Sequence, residues 1–367
     1  MSLKMFGSGP VSFRLFQCGI VEVEEFAGGV MPPVEGMGAD PVSGWVESKR
    51  LFGREITAER CVFGSKVCME LGKAERKIPE SLLAVTVQEE LEAEMRARGV
   101  EYLPRAVRAE VAKRVSDTLL PDMPVVFSSI PFVLDGTRLF AAALNNSALD
   151  CFAARWREST GAGPFPLGPV QLGVVRNDAV LNQLPPVCFS PDLSVVAADG
   201  DEAGMDFLTW LWFRWERDGG MVQAGDAAFA YMMEGPVTFF REGEGAHEVK
   251  LSKGVPLGCD ESVAALAAGK KIKRVKFVMV ADGETYGVTV DDGFAFRGLK
   301  LPKSDETRED FMSARWLFAE RMRKLNRFVD AWLRLFDEFV VLRVSGAGWD
   351  AEVDAMRDWV RKMIARQ

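Results

Sequence analysis

The sequence predicts a mixed α+β fold, in which largely antiparallel sheets are combined with a charged helical arm and a long C-terminal helix. Three observations predict this class. Strand-like runs are joined by Asp-Gly and Gly-Ser turns, which is typical of antiparallel hairpins. Two adjacent segments on either side of Gly99 have a charged, helix-forming composition. Apolar residues at helical spacing run through the last third of the chain.

The N-terminal region, residues 1–78, is expected to contain strands and loops. A short apolar strand is predicted at residues 11–16, and a Gly- and Pro-rich irregular loop at 27–44. Two further strand-like runs, 55–63 and 66–71, are joined by Gly64-Ser65, which predicts a hairpin.

The next region, residues 79–121, is the predicted helical arm. Pro79 suits a first helical residue, and Gly99 is a natural end for a helix over 80–98. A second helix over 104–120 ends against Pro121. Arginines and lysines alternate with glutamates along both helices, so a solvated charged surface is the simplest interpretation.

The central region, residues 122–258, returns to strands at 125–133 and 138–143 around an Asp135-Gly136 turn, followed by a helix at 148–159. Residues 206–217 are apolar nearly all round. A solvated helix has one polar face, so this segment is expected to be buried or to lie in an interface.

Residues 259–345 are predicted to form a basic meander followed by the long helix, and 346–367 a C-terminal extension with one more helix from about Asp350. The meander strands are 271–280, 285–290 and 294–299. The helix begins near Thr307 in this interpretation. Its apolar stripe, with spacings of three and four, consists of Phe318, Met322, Leu325, Val329, Trp332, Phe336 and Phe339.

The composition also limits the class of protein. With 367 residues, 48% of them hydrophobic, the chain can bury a large core. Its six cysteines are scattered without a CxxC pair, which favours free thiols in the cytoplasm. We expect no membrane partner, because no apolar run reaches the length of a membrane span and the start lacks signal-peptide features.

Charge is distributed unevenly. The net charge of −8 argues against a uniformly basic nucleic-acid binder. Residues 265–334, however, contain fifteen Lys and Arg against ten Asp and Glu, a balance of +5 that leaves −13 for the remainder. The chain therefore has one basic segment inside an acidic protein.

The basic strand at residues 270–276 is the strongest candidate for phosphate contact. A strand period of two sends its cations to both faces. Lys270, Arg274 and Lys276 fall beside Ile272, while Lys271 and Lys273 fall beside Val275. One face could follow a phosphate backbone; equally, lysines at an exposed strand end prevent edge-to-edge pairing.

On the long helix, Arg323, Arg327 and Arg334 are predicted to share an outward face opposite the apolar stripe. Acidic residues lie close to that face, namely Glu320, Asp330 and Glu338. A self-neutralised surface is therefore at least as good an interpretation as a DNA-facing ridge.

Catalytic signals are weak. The only histidine, His247, lies in a Gly- and Glu-rich segment, where a solvated loop position is favoured over a general base. Asp199, Asp201 and Glu202 could hold magnesium for a nuclease, but an acidic turn before a helix is the simpler interpretation. No metal or cofactor is predicted.

The order of several motifs, from about Trp45 to Leu333, resembles the recombination-associated RdgC family. Gly44-Trp45-Val46 is similar to the family's GWV element, and the charged arm closing in Leu119-Leu120-Pro121 is similar to its lysine-rich arm. Ala268-Gly269-Lys270, continuing to Phe277-Val278-Met279, resembles its AGK strand, and residues 308–311 resemble the start of its last helix. After Leu-Leu-Pro the family commonly continues with arginines and a phenylalanine, whereas this chain has Asp122-Met123-Pro124.

The resemblance implies a crescent-shaped monomer that pairs into a ring-shaped homodimer around DNA. It also implies a nucleoid-associated role in restraining recombinase filaments, and it places Lys270, Arg274, Arg105 and Arg108 on cationic positions of the family. We therefore expect a sequence-independent duplex-DNA-binding homodimer. The alternatives are a structural or protein-interaction paralogue without DNA affinity, and a metal-dependent exonuclease. The DNA-contact candidates are Lys270, Lys271, Lys273, Arg274, Lys276, Arg105 and Arg108.

Overall fold

The computed structural model describes residues 6–35, 37–48, 53–193, 202–224, 227–243, 245–303 and 314–366. The predicted mixed α+β class is confirmed. The strands are β1 Val11–Gln17, β2 Val42–Glu47, β3 Val62–Phe63, β4 Lys66–Arg76, β5 Val125–Asp135, β6 Arg138–Ala141, β7 Phe165–Pro166, β8 Met221–Ala224, β9 Ala227–Phe240, β10 Glu248–Leu251, β11 Lys271–Ala281, β12 Glu284–Asp291 and β13 Phe296–Lys300.

Helices surround these strands. They are α1 Ala58–Cys61, α2 Glu80–Arg98, α3 Arg105–Leu119, α4 Asn146–Thr160, α5 Pro169–Asn177, α6 Ala203–Asp218, α7 Asp260–Ala267, α8 Ala314–Arg343 and α9 Ala347–Ile364. Short 3-10 turns occur at Val23–Gly29, Leu120–Asp122 and Leu181–Gln183.

The strands form one sheet, whose order is β10-β9-β11-β12-β13-β1-β6-β5-β4-β2, with β3, β7 and β8 attached beside β4, β1 and β9. Every pairing between these strands is antiparallel. Strand β1 joins two halves, because Val11 and Phe13 pair with β13 and the residues from Arg14 onward pair with β6. We call β2–β7 the N-terminal half-sheet and β8–β13 the C-terminal half-sheet.

The main core lies between the C-terminal half-sheet and helices α6, α8 and α9. Trp332 of α8 packs edge-on against Phe277, Phe294 and Phe296, with ring centroids 5.2–5.4 Å apart. The apolar stripe predicted on the long helix is buried at all seven positions. The apolar segment predicted at 206–217 lies in α6, whose residues from Ala203 to Phe213 are buried, so the prediction is confirmed as far as Phe213; the last four residues are partly or fully exposed.

A second core lies under the N-terminal half-sheet, where α4 and the turn Val23–Gly29 cover one face. Its centre is an aromatic cluster of Phe26, Trp45, Phe132, Phe152 and Trp156, whose ring centroids lie 5.0–6.3 Å apart. The Trp45 indole nitrogen also donates a 2.7 Å hydrogen bond to the Ser159 hydroxyl. Asn145 caps α4 by accepting a hydrogen bond from the Ala148 amide.

The helical arm has the predicted form. Helix α2 ends at Gly99, which adopts the left-handed conformation with φ 66° that glycine reaches without strain. Helices α2 and α3 lie between the two longest strands of the N-terminal half-sheet, β4 and β5, in chain order. No residue of α2 is fully buried, so the arm is largely exposed to solvent.

Three findings bear on the sequence predictions. The strand predicted at 55–63 is wrong, because residues 58–61 form helix α1, which buries Cys61, and only Val62–Phe63 pairs as β3. The predicted helix start near Thr307 and the motif at 308–311 lie outside the described residues. All six cysteines are free thiols, and no helix among the described residues is long and apolar enough to cross a membrane.

Candidate nucleic-acid interface

One face of the C-terminal half-sheet is left uncovered. On β11, Val275, Phe277 and Met279 are buried against the helices, the residues between them are partly exposed, and Arg274 and Val280 on either side are exposed. Across the described residues no helix packs on this outer side. Met232 of β9 and Val280 of β11 accordingly remain 42% and 41% exposed. This alternation is typical of an antiparallel sheet with one solvated face.

Cross-strand register places polar residues of this outer face in rows. Residues directly opposite each other in adjacent antiparallel strands share one face of the sheet. The first row, from β10 to β12, is Lys250, Thr238, Arg274 and Asp291. The second row, from β9 to β13, is Glu234, Lys276, Thr289 and Arg297. The third row is Met232, Val278, Gly287 and Lys300.

The three rows carry five cations against two carboxylates. Lys276 pairs with Glu234 at 2.5 Å and Arg297 pairs with Asp291 at 3.2 Å. In the part of the chain that the structure describes, no carboxylate pairs with Lys250, Arg274 or Lys300. We call the twelve residues of the three rows the outer cationic face. Among the described residues, three of its five cations therefore have no ion pair.

Lys271 is a correction to the sequence prediction. Its side chain is buried, and its ammonium lies 2.5 Å from Asp206 and 2.7 Å from Glu202 of the α6 region. Burial acts to lower the pKa of Lys271, but the two carboxylates outweigh it and hold that pKa above its usual value. Lys271 is therefore an internal counter-ion and is not part of the exposed surface.

The predicted face assignment along the basic strand is also wrong, because β11 is not regular. Its pairing with β9 shifts between Ile272 and Arg274, as a β-bulge does. The bulge places Ile272 and Val275 in the same core, although strict alternation would send them to opposite faces. Lys273, in the bulge, holds its ammonium 3.9 Å from the centre of the Phe240 ring.

The remaining candidates lie in two separate places. Lys270 directly precedes β11 and is partly exposed. Arg105 and Arg108 are exposed on α3 of the arm, and Arg108 donates a 3.1 Å hydrogen bond to the Tyr102 hydroxyl. In strand order β12, β13, β1 and β6 separate β11 from β5, the strand that follows the arm. Residues of the arm and of the outer cationic face therefore belong to different half-sheets.

The arginines of the long helix are mostly neutralised. Arg323 makes two hydrogen bonds to Glu320, at 2.9 and 2.7 Å, and Arg327 pairs with Asp282. Arg334 is exposed and has no ion pair within the described residues. These arginines flank the core instead of standing opposite to it, because they line a cleft with Phe229 and Met279.

The structure describes two of the residues considered for catalysis, His247 and Glu202. His247 is exposed between β9 and β10 and its ring lies edge-on to Phe240, with centroids 6.3 Å apart. Asp199 and Asp201 lie outside the described residues, and Glu202 is bound to Lys271. Over the described ranges no three His, Cys, Asp or Glu side chains converge as metal ligands.

Sequence reasoning missed Lys250, Arg297 and Lys300. They become neighbours of Arg274 and Lys276 only through the order of β10, β9, β11, β12 and β13, which is not encoded locally. A signal for Lys250 exists, since Glu248–Leu251 alternates charged and apolar residues as a half-buried strand does.

Comparison with known protein families and with curated proteins found no match to this chain.

Proposed function

We propose that this chain binds duplex DNA without sequence preference through the outer cationic face. The observation that carries the proposal is the placement of Lys250, Arg274 and Lys300 on an uncovered sheet face with no carboxylate partner in the described residues. Lysine and arginine side chains on such a surface contact phosphates and read no base. Affinity then comes from the release of counter-ions, which is independent of sequence.

The geometry of the rows favours a double-stranded ligand. Lys250 and Arg274 lie two strands apart, which corresponds to about 9–10 Å between their backbones. The twelve residues include no aromatic side chain, and aromatic platforms are what hold the bases of single strands. Two separated phosphate contacts without stacking suit a duplex backbone better than an unpaired strand.

The acidic net charge of the chain does not oppose this proposal. Over the whole chain acidic residues outnumber basic ones by eight, yet the three rows have an excess of three cations. A local basic surface attracts phosphate at distances within the Debye length, about 8 Å at physiological ionic strength. The acidic remainder would orient DNA toward this face by repelling it elsewhere.

Self-association is part of the proposal. The resemblance to the RdgC family implies a ring-shaped homodimer that encloses DNA, with a nucleoid role in limiting recombinase filaments. The exposed arm supports a contact beyond the monomer, because Leu82 and Val85 of α2 are 40% and 58% exposed. Sedimentation velocity at micromolar concentration should show a dimer, and Leu82→Asp with Val85→Asp should shift it toward monomer.

The test of DNA binding is its salt dependence. Fluorescence anisotropy with two unrelated labelled duplexes should give equal affinities, and log K should fall linearly with log salt. Lys250→Gln with Arg274→Gln should weaken both complexes alike and reduce the slope by about 0.9 for each lost phosphate contact.

The matched control is Lys362→Gln with Arg366→Gln, which removes two exposed cations that have no ion pair among the described residues and lie at the end of α9, a helix on the covered side of the sheet. This control should bind as the unaltered protein does. Absence of binding to either duplex at low salt would overturn the proposal and favour the structural or protein-interaction paralogue. Equal effects of the two double variants would refute the placement of the DNA on the outer cationic face.

A further inference from the structure

A cleft of about 650 Å³ opens between α8 and the ends of β9 and β11. Phe229, Met279 and Ala281 form its wall on the sheet side, and Ala331 forms part of its wall on α8. These three strand residues point toward the helices and are buried. The cleft therefore lies on the opposite side of the sheet from the outer cationic face.

Charged side chains border this apolar wall along one flank of α8. Arg323, Arg327, Asp330 and Arg334 follow a spacing of four, three and four, which places them on the same side of the helix. Asp282, from the turn between β11 and β12, faces them. The cleft thus combines an apolar interior with a mainly cationic border.

All of these charges except one are compensated. Arg323 is held by Glu320, Arg327 pairs with Asp282, and Asp330 pairs with Arg138 at 3.0 Å. Arg334 has no partner of opposite charge in the described chain. An arginine that borders an apolar cleft without a carboxylate is a ready donor to an incoming anion, since its planar fork matches the oxygens of carboxylate and phosphate.

We propose that this cleft binds a small organic anion with an apolar or aromatic body, of the size of a nucleoside monophosphate. The anionic group pairs with Arg334, and the body packs against Phe229, Ala281 and Ala331. The volume lies within the range of small-molecule sites, which are mostly apolar with a few orienting polar groups. The inference does not depend on DNA binding, because the two surfaces share no residue.

The test is calorimetric titration of the full chain with adenosine monophosphate. Adenosine supplies the body without the anion, inorganic phosphate supplies the anion without the body, and both should bind at least tenfold more weakly. Arg334→Gln should weaken the binding of adenosine monophosphate at least tenfold, since it removes the cation at the cleft border that has no ion pair among the described residues. Ala331→Leu should weaken both adenosine monophosphate and adenosine, because the larger side chain fills the apolar wall.

The control is Arg366→Gln, the same substitution at an exposed arginine just after α9 that also has no ion pair among the described residues, which should leave the titration unchanged. Arg334 is exposed and has no ion pair within the described ranges, so its variant should fold, and circular dichroism checks this for all three proteins. The proposal is overturned if adenosine monophosphate does not bind at millimolar concentration, if phosphate binds as tightly, or if Arg334→Gln binds as the unaltered protein does. Because Arg334→Gln should retain duplex affinity, failure here is separable from failure of DNA binding.

Discussion

The two half-sheets share one continuous face that is covered in one half and open in the other. Strand β1 shows the change within a few residues. Ser12, Arg14 and Phe16 all point away from the main core, but Ser12 and Arg14 are partly exposed, whereas Phe16 is buried beneath α4. Next to Phe16 the neighbouring strands present Phe132, Leu139 and other apolar residues, and α4 covers them. In β13, β12 and β11 the residues on the same side include lysine, arginine and threonine, and no helix covers them in the described part of the chain.

This difference comes from the side chains on the sheet and not from the strand topology. Both halves are antiparallel and both bury an apolar layer on the side of the main core, which includes Leu15 of β1 and Val133 and Phe140 of the N-terminal half-sheet. The residues on the side of the sheet that faces away from the main core decide whether a helix is required there. An apolar face must be buried, whereas a charged face is stable in water and costly to bury. An uncovered cationic face is thus what the sequence of the C-terminal half specifies.

The largest expected effect comes from Lys271→Met. Removing the ammonium leaves Asp206 buried without its closest counter-ion, which should lower the free energy of unfolding by about 3–5 kcal/mol at neutral pH. Denaturant unfolding measures it. Lys270→Met, one position away and partly exposed, is the matched control and should change stability by less than about 0.5 kcal/mol.

The same variant should have a distinctive pH dependence. Burial already raises the pKa of Asp206, and the loss of Lys271 removes the largest effect that opposes it. A carboxyl whose folded pKa exceeds its unfolded value binds more protons when folded, so stability falls as pH rises through this interval. Lys271→Met should therefore recover stability as pH falls below neutral. A constant deficit over that range would contradict the buried-charge explanation.

A second comparison tests the two faces of the C-terminal half-sheet directly. Met279 on β11 is fully buried, whereas Met232 on the adjacent strand β9 is 42% exposed on the outer face. Met279→Ala should cost about 2–5 kcal/mol, and Met232→Ala less than about 0.5 kcal/mol. Chemical denaturation of both variants measures the difference. Similar losses for the two would show that the outer face is covered in solution.

Local elements were predictable from the sequence because each has a local cause. Pro79 and Gly99 delimit α2, and the spacing from Phe318 to Phe339 identifies the buried side of α8. The burial of Lys271 was not predictable. Its partners Glu202 and Asp206 lie about seventy positions away, and nothing in the run of lysines distinguishes this one from its neighbours.

The candidate interface shows the same limit. Arg274 and Lys276 were recognised as cations on a strand, but the β-bulge at Lys273 changed the faces of the residues before it. Lys250, Arg297 and Lys300 join them only through strand order, which depends on long-range pairing. Whether this surface contacts DNA, and whether the arm contributes Arg105 and Arg108 to it in a dimer, stay predictions.

A smaller effect is expected at the helix that covers the N-terminal half. Asn145 caps α4 through its side-chain oxygen, and Asn145→Ala should reduce stability by about 1 kcal/mol. Asn146→Ala, the same change at the next, exposed residue, should be close to neutral. Thermal unfolding of the pair measures the cap. If Asn146→Ala is the more costly of the two, α4 begins one residue later than described.

The smallest expected effect concerns the arginines of the long helix and duplex DNA. Arg323→Gln with Arg327→Gln removes as much charge as Lys250→Gln with Arg274→Gln, but from residues already bound to Glu320 and Asp282. Such partly exposed pairs contribute about 0–1 kcal/mol each to stability, so the variant should fold. Anisotropy titrations at several salt concentrations should give the same slope as the unaltered protein, because a neutralised arginine displaces few counter-ions.

The opposite result would be a slope reduced by about 0.9 per substitution in this variant and an unchanged slope in the Lys250 and Arg274 variant. It would move the DNA to the α8 side of the sheet. It would then lie beside the cleft, and adenosine monophosphate should compete with it.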